Sequence, residues 1–319
     1  MSRKSFTLTN PVIAGVICIL FIVPSICAQG SRVRFSDQQR IGDESLAKDR
    51  IDAGAYYQIG VESLREPSNS DRAVEHLEKA VELDEVNAEY HYRLAEAYLA
   101  NFEFASLFQK PFIAPKVKSH LELAVRYDPS SIRYREALIQ YLMVAPGILG
   151  GSYEKARAQA NEIARRDPYL GLLAHAGIHA EEGEEQKALE LYRRAIRSRP
   201  KAWEAYHRLG MHYLDSRESD DAIEWFKKYV EVAPDQADGY KCLGLAYEQK
   251  RMHGEAITAF QKALERDPTL APLVFRIAQL YEFRGIMNQS LEHYQRYLSM
   301  VPRGRAADDA REKIRLLTR

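Results

Sequence analysis

Three groups of residues in this chain have types and spacings that could support chemistry. His175 and His179 lie four residues apart, so on a helix both imidazoles could face one metal ion. The stretch 147–151 (GILGG) has the glycine content of a phosphate-binding loop. Cys242 offers a thiol, which as a thiolate is both a nucleophile and a metal ligand. Each of these chemistries requires further groups nearby.

The sequence patterns do not supply those further groups. Two imidazoles are too few for a structural zinc site and no third ligand has suitable spacing, so we expect both histidines at helix contacts. The glycine stretch lacks the following Lys-Ser/Thr and joins two helical segments, which predicts a turn. Cys242 adjoins Leu243 and is expected to be a buried small hydrophobe. With no GxSxG, HExxH or CxxC motif either, we expect a protein that is not an enzyme and has no metal or cofactor.

The elements that would position functional groups follow a period of 34 residues. Proline recurs at this interval, with a small residue and an aromatic residue at fixed places before it. A repeat of this length forms two helices whose apolar faces must be buried against neighbouring repeats. Proline ends the second helix because it cannot donate the hydrogen bond that continues a helix. The prolines are Pro200, Pro234, Pro268 and Pro302, the small residues Ala188, Ala222, Ala256 and Ser290, and the aromatics Tyr192, Phe226, Phe260 and Tyr294.

Two stretches also share a fuller pattern of a bulky residue, Leu-Gly, Tyr, Ala, an aromatic residue and Pro. They are Tyr206, Leu209, Gly210, Tyr213, Ala222, Phe226 and Pro234, and Tyr240, Leu243, Gly244, Tyr247, Ala256, Phe260, Ala263 and Pro268. On these residues the chain resembles the tetratricopeptide repeat family. Gly210, Gly244 and Ala278 lie where the second helix of each repeat must approach the first closely.

The predicted fold is all-α, a right-handed superhelical α-solenoid of about seven helix-turn-helix repeats. We place the array at residues 54–304, with an insert near 99–117, expected to be a long irregular loop, and a short insert near 144–152. Residues 305–319 predict a capping helix, whose charged face an exposed solenoid end needs for solubility. The repeats begin near Gly54, Ala88, Ile132, Tyr169, Trp203, Ala237 and Ala271.

The N-terminus has the layout of a secretory signal peptide over residues 1–28. Arg3 and Lys4 precede an apolar core at 12–23, and Ala28 offers a cleavage site before Gln29. We therefore expect an exported protein, periplasmic or secreted, with residues 29–53 as a flexible segment. The alternative is an uncleaved membrane anchor formed by residues 11–28, which alone would give membrane association.

Composition limits the classes of partner. The chain has 319 residues, 46% of them hydrophobic, and a formal net charge of zero. Without the leader 43 basic and 45 acidic residues remain, so no basic field would attract nucleic acid. Cys242 is then the one cysteine left, so no internal disulfide can form.

The resemblance implies a concave groove lined by the second, fifth, ninth, twelfth and thirteenth positions of each first helix. This surface mixes carboxylates with apolar anchors, which favours a protein or peptide partner of basic and apolar character. The main candidates are Gln58, Glu62, Tyr92, Glu96, His207, Met211, Lys241, Leu245, Phe275 and Gln279. The remaining positions are Arg65, Glu66, Glu89, Leu99, Glu204, Leu214, Asp215, Asp238, Glu248, Glu282 and Phe283.

The insert near 99–117 is unusually aromatic, with Phe102, Phe104, Phe108 and Phe112 among its residues. Such a cluster favours aggregation if all of it is left in water. Either these rings fold back against the solenoid, partly filling its groove, or they form a docking site.

These observations predict a non-catalytic interaction scaffold of the periplasm or cell envelope, which binds a partner segment in the groove. An alternative is an envelope ligand-binding, transport or assembly accessory protein, which would enclose an apolar ligand in a deep cavity near Phe104 and Phe108. A third possibility is a self-associating array. The repeat motifs are specific for the fold and do not distinguish these roles.

Overall fold

In the C-terminal part of the chain the helices recur with the 34-residue period of the sequence. A computed structural model describes residues 53–64, 69–106 and 108–318, apart from the side chains at 103 and 104. The predicted signal peptide, and all but the last residue of the predicted flexible segment, lie outside these residues. In the described part of the chain there are fifteen α-helices and no strand, so the predicted all-α class is confirmed.

The described residues form two compact units, one reaching Ala174 and the other beginning at His175. The N-terminal unit contains α1 (Ala53–Ser63), α2 (Ser70–Leu83), α3 (Ala88–Phe104), α4 (Lys110–Tyr127), α5 (Ile132–Val144), a 3₁₀ turn (Gly147–Leu149) and α6 (Tyr153–Arg166). The border falls within α7 (Pro168–Glu181). The C-terminal unit continues with α8 (Glu185–Ser198), α9 (Trp203–Asp215), α10 (Ser219–Val232), α11 (Ala237–Gln249), α12 (His253–Arg266), α13 (Ala271–Phe283), α14 (Met287–Met300) and α15 (Arg305–Leu317).

Each unit contains three hairpins in which consecutive helices pack together: α1–α2, α3–α4 and α5–α6, then α9–α10, α11–α12 and α13–α14. The recurring aromatic residues lie inside the C-terminal hairpins, with Phe226, Phe260 and Tyr294 fully buried. A Cβ atom added at Gly210 would lie 2.6 Å from the Phe226 ring, so glycine is needed where the two helices meet. The predicted close approach is confirmed here and at Gly244.

The helix expected after residue 304 is present as α15. Helix α15 lies against α14, and its small residues Ala307 and Ala310 are fully buried. Among the described helices, none has the length and apolar character that crossing a membrane requires.

The turn between α7 and α8 has the same backbone geometry as the turns inside the three C-terminal hairpins. One residue, 34 positions apart in successive turns, takes a positive φ: Gly183 (76°), Arg217 (63°), Arg251 (63°) and Gly285 (73°). The following residue donates a hydrogen bond back to the last helical turn, as Glu218 N–H does to the Tyr213 carbonyl at 2.9 Å. This is the Schellman arrangement, which satisfies the free carbonyls at a helix end and favours glycine at the left-handed position.

Arg217→Gly and Arg251→Gly should therefore each raise the free energy of unfolding, by about 0.5–1 kcal/mol, because an L side chain is strained in the left-handed region. Urea unfolding of the single variants measures this. Gly285→Ala, which introduces the strain, should shift the midpoint in the opposite direction. Unchanged midpoints in both arginine variants would contradict the strain argument.

The long insert near 99–117 is mostly helical, which corrects the expectation of an irregular loop. It lengthens α3 to 17 residues and α4 to 18, against 13 and 14 in the regular hairpins. Just before α4, whose N-cap is Gln109, the Gln109 side-chain oxygen accepts the Ser106 backbone N–H at 2.9 Å. Pro111 lies in the first turn of α4, where a missing N–H has no consequence.

The short insert near 144–152 is the predicted turn. Gly150 has a φ of 90°, and a Cβ atom at Gly151 would overlap the Ala145 carbonyl oxygen. The Tyr141 hydroxyl lies 2.7 Å from the Leu149 carbonyl and closes the turn against α5. Gly150 and Gly151 are therefore explained by backbone geometry, whereas nothing in the structure requires glycine at position 147.

Candidate interaction surface

The predicted groove positions of the C-terminal unit lie on α9, α11 and α13. Met211 and Leu245 are half-buried at equivalent places on the first two, and Gln279 is exposed on the third. Phe275 is half-buried because its ring packs edge-on against Tyr294, with 5.4 Å between ring centroids. This face therefore combines partly covered apolar side chains with a polar one.

Phe283, four residues after Gln279 on α13, is the most exposed large apolar residue of this face. Its side chain is 73% exposed, although one edge of the ring contacts His253 at a centroid distance of 4.6 Å. Residues four apart share one side of a helix, so Phe283 and Gln279 present a single surface. An aromatic ring held by one neighbour and otherwise in water is the type of residue that anchors a partner.

Three carboxylates on the same helices have cationic partners within the chain. The prediction of a basic partner treated these carboxylates as unpaired, and the pairs remove part of that negative charge. The cations could not be recognised from the groove positions because two of them come from other positions of neighbouring helices. The pairs are Asp238 with Lys241, Glu248 with Arg276 (2.5 Å) and Glu282 with Lys313 (2.7 Å).

His207 and Lys241, both predicted to line the groove, belong to one polar cluster with Asp238 and Cys242. The His207 side chain is only 11% exposed and that of Lys241 28%. Burial lowers the pKa of His207 to about 4, although Asp238 opposes the shift. Burial raises the pKa of the Cys242 thiol well above its ordinary value, and the residue is fully buried as predicted.

Tyr92, predicted as a groove residue, is buried in the N-terminal unit with 2% of its surface exposed. Its ring packs against Tyr134 at 5.1 Å between centroids, and the guanidinium of Arg133 lies 4.6 Å from its centre. It cannot present a face to a partner, so the prediction for this residue is corrected. Glu96 is half-buried, and Arg93 donates to it at 2.8 Å.

Glu89, at the second position of α3, is the centre of this packing. Its Oε1 accepts hydrogen bonds from Arg93 Nε at 2.8 Å and from the Tyr57 hydroxyl at 3.2 Å. Its Oε2 accepts from the Tyr134 hydroxyl at 2.7 Å and pairs with Arg133. Burial and the bond to Glu89 raise the pKa of Tyr134 to about 12, so its hydroxyl stays a donor. The carboxylate thus joins three successive hairpins and is not free for a ligand.

Of the other predicted residues of the N-terminal unit, Arg65 and Glu66 lie outside the described residues, and several of the rest are accessible. Gln58 and Glu62 are exposed on α1. In the insert, Phe108 is 87% exposed and Phe112 is 77% exposed, so these two rings do not fold back against the described part of the unit. Phe102 is half-buried, with Lys110 Nζ 4.9 Å from its ring centre. The side chain of Phe104 lies outside the described residues.

The histidines make contacts with polar neighbours. His179 Nδ1 lies 2.5 Å from Glu184 Oε2, and Glu182 is 3.9 Å away. In the N-terminal unit His91 and His120 share a hydrogen bond of 2.9 Å between their Nδ1 atoms. Burial, reinforced by His91, lowers the pKa of His120 to about 4. The His91 Nε2 must be the donor to the Glu85 carbonyl at 2.9 Å, which makes its Nδ1 the acceptor for His120.

Comparison with known proteins identifies the repeats. A tetratricopeptide repeat family model matches residues 61–105 and 173–237, and a second tetratricopeptide repeat model matches residues 237–270. These segments are tetratricopeptide repeats. The second match is one full repeat and covers α11 and α12 with the turn between them. In these tetratricopeptide repeats, Gly210 and Gly244 are the close-contact positions predicted from the sequence.

Several solved structures are similar at low sequence identity. One is MamA residues 41 to the end from Desulfovibrio magneticus RS-1, with 23% identity, 52% of this chain and 94% of that chain covered, and a TM-score of 0.41. Another is a human IFIT1 dimer with m7Gppp-AAAA, with 21% identity, 89% and 69% covered, and a TM-score of 0.49. No curated protein matches the chain.

Proposed function

We propose that this chain is a non-catalytic scaffold that binds a partner polypeptide along α9, α11 and α13 of the C-terminal unit. The observation that carries the proposal is the exposed ring of Phe283, next to Gln279 on a face that continues through Leu245 and Met211 at equivalent repeat positions. Tetratricopeptide repeats support an interaction role, and they present successive first helices at regular intervals.

The partner is proposed to insert apolar side chains. Asp238, Glu248 and Glu282 are already paired with cations of the same chain, so these three carboxylates do not require a basic partner. Apolar anchors gain most when they bury an exposed aromatic ring. We therefore expect contacts with Phe283 to dominate binding and charge contacts to contribute less.

The alternative of an enclosed apolar ligand has less support. It requires a deep cavity around the insert, whereas the Phe108 ring is 87% exposed. A cavity of about 270 Å³ does lie between α4, α5 and α6, bordered by Leu138, Leu142 and Lys155. This volume is below the roughly 300–1,000 Å³ of most small-molecule sites. None of the insert phenylalanines lines it.

Site-specific photo-crosslinking in the native host would test the scaffold. A photoreactive residue at Gln279 should give a discrete crosslinked polypeptide, and the same residue at exposed Gln289 on α14 should not. Adding Phe283→Ala should reduce the Gln279 product at least fivefold while circular dichroism shows an intact fold.

The other outcomes of the crosslinking experiment are distinct. A crosslinked product containing two copies of this chain would show that the surface binds a second copy of the chain, and the proposal of a separate partner would be rejected. Equal crosslinking at Gln279 and Gln289, or a Gln279 product unaffected by Phe283→Ala, would overturn the proposed surface. An apolar molecule found by native mass spectrometry without any crosslink would favour the ligand-carrying alternative.

The proposed place of action is outside the cytoplasm, in the periplasm or as a secreted protein. Support comes from the charged start, apolar core and small residue at the predicted cleavage site in residues 1–28. N-terminal sequencing of the protein from fractionated host cells is the test. A mature chain that starts at Gln29 in the envelope or medium is expected, and an intact leader in the membrane fraction would instead indicate the anchor at residues 11–28.

A further inference from the structure

A cluster in the C-terminal unit brings three metal-ligating side chains together on two neighbouring helices. His207 lies on α9, and Asp238 and Cys242 lie one turn apart on α11. Their ligand atoms are all within 4.8 Å of one another. The His207 Nε2 is 3.5 Å from Asp238 Oδ2, and the Cys242 Sγ is 3.7 Å from the same oxygen.

Two buried polar atoms at this cluster lack a hydrogen-bond partner. One is the His207 Nε2 and the other is the hydroxyl of Tyr229, whose side chain is fully buried. The two rings are in contact, edge to face, at 5.7 Å between centroids. Leaving a buried polar atom unpaired destabilises a fold, so such atoms require an explanation such as an ion or water. The Tyr229 hydroxyl also interacts electrostatically with Asp238 and Cys242, which places it toward the same cluster.

We propose that His207, Asp238 and Cys242 form a binding site for a divalent metal ion of the zinc class. Imidazole nitrogen, carboxylate oxygen and thiolate sulfur are the ligands that zinc accepts, with solvent as the fourth ligand. Ideal tetrahedral bonds would place nitrogen and oxygen about 3.3 Å apart, and sulfur and oxygen about 3.5 Å apart. The observed 3.5 Å and 3.7 Å are within a few tenths of an ångström of these separations.

Binding requires the thiol to lose its proton. The metal forms a bond to the Cys242 sulfur as the S–H bond breaks, and the proton leaves to solvent, so each bound ion releases one proton. The ion can reach the cluster from the side of Asp238, whose side chain is 27% exposed. The surrounding wall is aromatic, since the Trp203 ring stacks on Tyr229 at 5.1 Å. Such a wall excludes water and strengthens the electrostatic attraction between the ion and its ligands.

Metal binding at the cluster is opposed by the positive charge of Arg208, which acts on His207, and by that of Lys241. The Lys241 ammonium pairs with the second oxygen of Asp238, Oδ1, and leaves Oδ2 available to the ion. Its positive charge nevertheless competes with the ion for the same carboxylate. Removing this charge should therefore tighten metal binding, an effect opposite to that expected from changing a ligand.

Cobalt(II) titration of the full chain is the experiment, because cobalt occupies zinc-type sites and its thiolate bond gives a charge-transfer absorption. We expect one equivalent to bind, with that absorption and with one proton released in weak buffer. Cys242→Ser should abolish the absorption, His207→Gln should weaken binding at least tenfold, and Lys241→Met should strengthen it severalfold.

His179→Gln is the matched control, because His179, Glu182 and Glu184 form another possible ligand group in the same unit. This variant should bind cobalt unchanged; loss of binding here would assign the ion to the other group and overturn the proposal. Melting temperatures in chelator identify any variant that fails to fold. Lys241→Met keeps all three ligands, so weaker or unchanged binding in that variant would also contradict the site, as would a folded parent chain without thiolate absorption.

Discussion

Replacing Phe260 with alanine should lower the free energy of unfolding of the C-terminal unit by about 3–5 kcal/mol. The ring is fully buried and fills the contact between α11 and α12, directly beneath Gly244. Alanine there loses both the transfer of the ring out of water and its packing contacts. Urea unfolding followed by circular dichroism measures the change. Phe283→Ala is the control, because that ring is 73% exposed and its loss should change the midpoint little.

A second substitution shows whether the ring and the glycine fit each other. Gly244→Ala alone should also destabilise the unit, since its Cβ atom would lie far inside contact distance of the Phe260 ring. In the double variant the new methyl group has space. The double variant should therefore lose less unfolding free energy than the sum of the losses in the two single variants. Strict additivity would mean that the ring does not lie against Gly244.

Glu89→Ala should destabilise the N-terminal unit by about 2–3 kcal/mol, the second largest expected effect. The substitution leaves Arg93 and Arg133 without their shared carboxylate, and the hydroxyls of Tyr57 and Tyr134 without an acceptor. Glu89 and Arg93 are each less than one-third exposed, so solvent only partly compensates. The unfolding free energy of Glu89→Gln should fall between those of the unsubstituted protein and Glu89→Ala, because the amide oxygen can still accept hydrogen bonds.

The control for Glu89→Ala is the same substitution in a solvent-exposed ion pair. Glu82, which pairs with Lys79 on the surface of α2 and is 61% exposed, should be replaceable by alanine without a measurable change in the urea midpoint. If Glu89→Ala and Glu82→Ala behave alike, the contacts around Glu89 do not join the hairpins. A denaturation curve in high salt would support this comparison, since exposed pairs are screened more strongly.

The repeat architecture could be predicted from the sequence because each signal acts locally. Pro200 and Pro234 mark the ends of second helices, and Gly210 marks the contact with Phe226 within one hairpin. The helical insert was missed because its prolines suggested a loop. Pro111 fits the first turn of a helix, where its missing N–H has no consequence, and this preference could have identified the start of α4.

The candidate surface was harder to predict, because burial depends on pairs of neighbouring repeats. Tyr92 occupies a groove position by register and is nevertheless covered by Tyr134 and Arg133 of the next hairpin. His207 and Asp238 are 31 residues apart, as are Glu282 and Lys313. A search of the sequence for complementary residues about 31 apart could have found both contacts, since this interval is close to the repeat length.

The first helices of the C-terminal unit start at a regular interval, so this part of the chain can change length by whole repeats. Helices α9, α11 and α13 start at Trp203, Ala237 and Ala271, and the segments between them are equal in length. Deleting or duplicating 34 residues anywhere between these points rejoins the backbone at an equivalent place, so a recombination event there yields a shorter or longer array with the same kind of contact at every junction. The hairpin α3–α4 has longer helices and no such equivalent. Variation in copy number is therefore expected in the C-terminal unit of relatives, whereas the N-terminal unit should keep its length.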